Sequence, residues 1–151
     1  SGAARMGAIV GGASAEDLDL VTRFADELGL AFQLQDDFLD VYGDPIIFGK
    51  NIGGDITNEK TTFMLIEAMR LAEGKDKEML EHYLGNNDVE PREKIEAITN
   101  VYNNLGIDKL CHEKMEAYYN AALACMDEIL VPEDRKLPLL ALAQSLMNRD
   151  H

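Results

Sequence analysis

Apolar residues recur at spacings of three and four along nearly the whole chain, and this pattern constrains the fold more than any other feature. Between Ile107 and Leu130 the residues Ile107, Leu110, Cys111, Met115, Tyr118, Ala122, Cys125 and Ile129 hold that spacing. They cover roughly six turns at about 3.6 residues each, which describes one long core helix. Strict alternation, the mark of a half-buried strand, is almost absent, so the fold class is all-α. With 151 residues and 46% hydrophobic content, a single helical domain over residues 1–151 is expected.

Glycine, proline and capping residues divide this pattern into segments. A short helix over Ala3 to Val10 ends at Gly11 and Gly12, and Ser14 with Asp17 forms a capping pattern for a second helix that runs to about Val41. Gly43, Pro45, Gly49, Gly53 and Gly54 make residues 43 to 58 a loop. Helix resumes near Lys60 with Phe63, Ile66 and Met69 on one side. Another helix spans about Lys75 to Leu84, and the next opens on Pro91 and closes at Gly106. Pro132 ends the long helix, and Pro138 suits the first turn of a last one reaching about Arg149.

The formal net charge of −14, from 28 acidic and 14 basic residues, argues against nucleic acid or an anionic membrane surface as partner. No apolar run approaches the roughly 18 residues of a membrane span. Cys111 and Cys125 share one helix at a separation of about 20 Å, too far to bridge, so reduced cysteines and a cytoplasmic location are expected. The sequence starts without Met, already inside a small-residue helical pattern, and the natural protein is expected to begin earlier.

The chemistry concentrates in FQLQDDFLD, residues 32 to 40. At about 100° per residue, Asp40 falls about 40° from Asp36, Gln33 about 60° and Asp37 about 100°, so three carboxylates and an amide share a helix face. Ala31, Leu34, Phe38 and Val41 take the opposite arc as a core-facing stripe, while Phe32, Gly29 and Ala25 continue the acidic face as a small-residue, apolar groove. Like charges this close repel unless cations sit among them. Hard oxygen donors in an open cluster suit Mg²⁺, which binds through one or two carboxylates plus substrate phosphates.

Beyond this helix, Lys50 follows Gly49, and Lys60 follows Gly53, Gly54, Asp55 and Asn58. Lysine is a mobile point charge for diphosphate oxygens, and glycines let backbone approach a ligand. A carboxylate face in an acidic chain can be merely solvated, and a lysine in a glycine loop is most often so; the two together are more telling. His82 and His112 lack partners at metal-ligand spacing and are assigned no site.

The string FQLQDDFLDVYGDPIIFGKNIGGDITNEKTT resembles the second aspartate-rich region of the trans-prenyl diphosphate synthases, the polyprenyl synthetase family. AARMGAIVGGAS resembles the small-residue helix before it, and LPLLALAQSLMNR the C-terminal helix of the family. The resemblance implies the C-terminal part of the isoprenoid-synthase helical bundle. It also implies that Asp36, Asp37 and Asp40 bind Mg²⁺, that Lys50 and Lys60 bind diphosphate and draw charge onto the leaving group, and that Phe32 and Gln33 face the isopentenyl diphosphate tail and the reacting carbons. The implied reaction ionises an allylic prenyl diphosphate, and the isopentenyl diphosphate double bond attacks the cation.

The first aspartate-rich motif of that family, D-D-x-x-D with trailing arginines, is absent from these residues, as are the basic residues that bind isopentenyl diphosphate. The chain is therefore expected to be inactive alone and to self-associate, most simply as a homodimer, through apolar surface left without a partner. Two other readings compete: a squalene synthase-like or terpene cyclase-like enzyme, and a non-catalytic helical interaction module.

Overall fold

The computed structural model describes residues 1–48 and 52–148, which are helical with no strand among them. The helices are α1 (Gly2–Val10), α2 (Ala15–Tyr42), α3 (Pro45–Phe48), α4 (Gly54–Thr57), α5 (Phe63–Leu71), α6 (Gly74–Tyr83), α7 (Pro91–Leu105), α8 (Ile107–Glu128) and α9 (Glu133–Met147). Two compact units are present: Ser1–Gln35 with the chain from Lys114 onward, and Asp36–Glu113, so α2 and α8 each contribute to both.

In the first unit, α2 starts where the Ser14 hydroxyl accepts the Asp17 N–H at 3.0 Å, the predicted cap. Its apolar stripe brings Phe24 and Leu28 into a core with Ala122, Cys125, Met126 and Ile129 of α8 and its exit, and with Ala143 of α9. Both cysteines are buried thiols on α8. By contrast, α1 buries none of its residues and leaves Met6, Ile9 and Val10 exposed. Pro138 lies inside α9 rather than in its first turn, because the helix already begins at Glu133, where Glu133 and Asp134 suit the positive end of the helix dipole. Proline there removes the bond to the carbonyl four residues earlier, and both Pro138 and Asp134 are exposed.

The second unit is organised by α7, against which α4, α5 and α6 pack. Pro91 stands in its first turn and Gly106, at φ 67°, caps its end in the left-handed conformation, as the sequence predicts. Ile98 and Val101 are almost wholly buried on it. The stretch expected as loop contains two single-turn helices, α3 and α4, and buried Ile56 anchors the second of them. Helix α5 begins at Phe63 rather than Lys60, since Thr62 caps it by accepting the Leu65 N–H at 3.2 Å. That cap and the packing on α7 turn Met64, Leu65 and Ala68 inward, leaving Ile66 and Met69 of the predicted stripe exposed.

Candidate functional site

The carboxylates of α2 occupy unlike surroundings. Asp36 is exposed, Asp40 half-buried, and Asp37 only 5% accessible, although helical arithmetic places all three on one face. Of the predicted stripe Ala31, Leu34 and Val41 are buried and Phe38 half-buried, and burial reaches beyond it to Asp37, where the chain after α2 folds back over the helix. The Gly53 N–H donates to the Asp40 carbonyl at 2.6 Å, and the Asp55 N–H donates to Asp40 Oδ2 at 2.8 Å. These two bonds seat α4 on the acidic end of α2.

Gly53 meets a double requirement. Its φ of 86° is a left-handed conformation that L side chains rarely adopt, and a Cβ there would lie 2.7 Å from the Ile95 side chain. The return of the loop over Asp40 thus depends on a residue with no side chain.

From α4 the chain delivers Lys60 to the acidic cluster. Lys60 Nζ lies 2.6 Å from Asp37 Oδ1 and 3.4 Å from Asp55 Oδ2, and its side chain keeps 48% of its accessibility. Burial raises the Asp37 carboxyl above the ordinary aspartate range, more than the Lys60 ammonium lowers it, with Asp55 and Asp36 adding to the rise. Asp40 is raised too, by burial first, against the lowering effect of the Asp55 N–H. Lys60 is held in its charged form chiefly by the hydrogen bond to Asp37. Asp37, Asp40, Asp55 and the neighbouring Asp36 thus outnumber the one described ammonium in the cluster, Lys60.

The structure thus unites Asp37, Asp40 and Lys60 and adds Asp55, which in the sequence stands out only as part of the loop. Its signal is its place in the sequence, five residues before Lys60 in the same glycine-led stretch. Lys50 falls outside the described residues. Phe32 and Gln33 lie one turn earlier on α2, in the first unit, the former half-buried and the latter exposed. His112, assigned no site, packs its ring against Phe38, tilted by 56° with 4.4 Å between centroids. Cys111 is fully buried, and burial pushes its thiol up to about 12.

Hard oxygen donors of this kind fit a magnesium ion, and with Asp37, Asp40 and Asp55 set about one ammonium, a divalent cation would balance the carboxylates left over. No three His, Cys, Asp or Glu side chains among the described residues converge as a ready-made cage. An open arrangement is what Mg²⁺ uses when a phosphate ligand completes its shell.

The sequence model of the polyprenyl synthetase family matches residues 1–102. A short chain isoprenyl diphosphate synthase of Methanothermobacter thermautotrophicus is 33% identical over 151 residues, covering 99% of this chain and 45% of that protein. A crystal structure of geranylgeranyl pyrophosphate synthase superposes with a TM-score of 0.86 at 31% identity, over 97% of this chain and 46% of the other. The Corynebacterium glutamicum geranylgeranyl pyrophosphate synthase, complexed with isoprenyl diphosphate and magnesium, gives 0.83 at 30% identity, over 95% and 40%. The chain spans less than half the length of these relatives. On the match over two thirds of its residues and the shared all-α fold, the chain belongs to the polyprenyl synthetase family.

Proposed function

We propose that this chain carries the metal- and leaving-group-binding part of a prenyl diphosphate synthase, which condenses isopentenyl diphosphate with an allylic prenyl diphosphate. The observation that carries the reading is the cluster of Asp37, Asp40 and Asp55 about Lys60, with more negative charge than the lysine offsets. A pure anion site would not gather carboxylates, and a pure cation site would not hold a lysine among them. The combination suits a metal-bound diphosphate.

In this reading Asp36, Asp37 and Asp40 hold Mg²⁺, while Lys60, together with Lys50, contacts the diphosphate oxygens. Magnesium, when bound, neutralises charge that builds on the departing pyrophosphate. Lys60 donates to the same oxygens and strengthens as that charge grows, which favours the transition state over the bound substrate. Its partial exposure leaves the ammonium free to exchange Asp37 for a phosphate oxygen. Phe32 and Gln33 face the substrate carbons, where the aromatic ring shelters the allylic cation from water. A relative bound to isoprenyl diphosphate and magnesium supports the choice of ligands.

The 151-residue chain by itself binds magnesium pyrophosphate without turning over prenyl substrates. It resides in the cytoplasm and self-associates as a homodimer. Calorimetric titration of this chain with pyrophosphate and Mg²⁺ should give saturable binding that Asp36→Ala weakens. Equal binding by the variant would count against the site.

A further inference from the structure

Next to Lys60 stands Glu59, the one non-glycine residue with positive φ among those described, at 51°. Left-handed backbone is unfavourable for a side chain with a Cβ and persists only where its surroundings hold it. Here the holding contacts are visible. The Glu59 carboxylate accepts the Gly85 N–H at 2.7 Å and the Lys94 ammonium in a close ion pair. Lys94 lies on α7 with a side chain only 6% accessible, and Glu59 is its carboxylate partner.

A buried lysine needs its counter-charge, because little of its side chain remains open to water. Lys94 therefore pulls on Glu59 from the central helix of the unit, and Gly85 pulls from the turn after α6. Between those anchors the backbone reverses: the Glu59 N–H bonds the Ile56 carbonyl at 3.1 Å, and the Lys60 N–H bonds the Asp55 carbonyl at 2.9 Å. The reversal sends consecutive side chains in opposite directions. Glu59 points to α7, and Lys60 points to Asp37 and Asp55.

We infer that Glu59 is a positioning residue, and that its ion pair with Lys94 holds the left-handed turn which aims Lys60 at Asp37. Lys94, for all its charge, serves as an internal anchor and not as a ligand for phosphate. The geometric claim stands on the contacts alone; its consequence for diphosphate binding rests on the function proposed above. A carboxylate that only stabilised the fold would leave the Lys60–Asp37 contact unchanged as long as the chain stayed folded.

The test is zero-length carbodiimide coupling of the folded 151-residue chain, with the Lys60–Asp37 amide localised by fragment-ion mass spectrometry. The Lys109–Glu113 pair on α8 is the internal reference. Glu59→Ala, which keeps the strained Cβ and loses the carboxylate, should lower the Lys60–Asp37 yield at least about tenfold relative to the reference, as the turn, left with its two backbone hydrogen bonds alone, relaxes. Lys94→Met, which keeps the buried volume, should lower it in the same direction, and Glu59→Asp should restore part of it. An unchanged yield in either folded Ala or Met variant overturns the inference. If the yield falls while pyrophosphate binding is indifferent to Lys60, the positioning role stands and the diphosphate reading is what fails.

Discussion

Lys60 Nζ sits 2.6 Å from Asp37 Oδ1, although the two residues are 23 positions apart and one of them is almost wholly buried. The contact joins the end of the glycine loop to the acidic helix, and it sets one ammonium among carboxylates. Replacing Lys60 by Met should weaken magnesium pyrophosphate binding by about tenfold, the size of one lost charge-assisted hydrogen bond. Calorimetry checks this, and undiminished affinity would show that Lys60 serves only Asp37.

Gly53→Ala should destabilise the second unit, because the substituted Cβ meets the Ile95 side chain at 2.7 Å in a left-handed backbone. A cost of about 1–3 kcal/mol is expected for such strain, a fall in Tm of several degrees. Ile95→Ala removes the clash but not the strained φ, so the same substitution should cost less in that background. Additive costs in thermal melts would mean that Ile95 is not the obstacle.

The Glu59–Lys94 pair makes a definite contribution to acid stability. Its hydrogen bond from Lys94, then that from the Gly85 N–H, hold the Glu59 carboxyl below its ordinary value of 4.5. A carboxyl depressed in the folded state stabilises the fold above its unfolded value and loses that contribution as pH falls through the lower, folded one. Wild type should therefore exceed Glu59→Gln in urea midpoint by a constant margin from pH 6 to 8, and the margin should shrink below about pH 4. Asp37 and Asp40, raised in the folded state, act with the opposite sign in both proteins and drop out of the difference. A margin independent of pH would contradict this account.

Cys111 should be chemically silent in the folded protein. It is fully buried, and its thiol is pushed up to about 12, so the nucleophilic thiolate is scarce at pH 8. Alkylation by iodoacetamide should be slow in buffer and rise by orders of magnitude in urea. Rapid labelling of Cys111 under native conditions would show that α8 opens locally.

Packing should dominate the stability of the second unit. Ile98 is 1% accessible at the centre of α7, and Ile98→Ala should cost about 2–5 kcal/mol through lost burial and the cavity left behind. Urea denaturation measures it directly, and a loss below 1 kcal/mol would imply that the surrounding helices collapse into the space.

Much of this protein is legible one residue at a time. The periodicity of apolar positions settles helix over strand, since a period near 3.6 cannot satisfy a pleated sheet. Ser14, Pro91 and Gly106 mark helix ends because capping, a fixed φ and a left-handed cap are local properties of those residues. The acidic run of residues 36 to 40 and the lysine at 60 are likewise plain in the sequence, as is the resemblance they carry.

Tertiary structure decided what local properties leave open. Which face of α5 is buried depended on α7, because both of its faces are apolar enough to serve. That Asp37 lies inside while Asp36 lies outside depended on α4 folding back onto Asp40, a contact across 15 positions. The opposed aims of Glu59 and Lys60 depended on a buried lysine 35 positions on, whose need for a counter-charge holds a backbone conformation that glutamate would not choose alone. Sequence determined the helices and the charges to be placed, through forces that act within a few residues. The arrangement of those charges came from burial, which is a property of the whole packed unit.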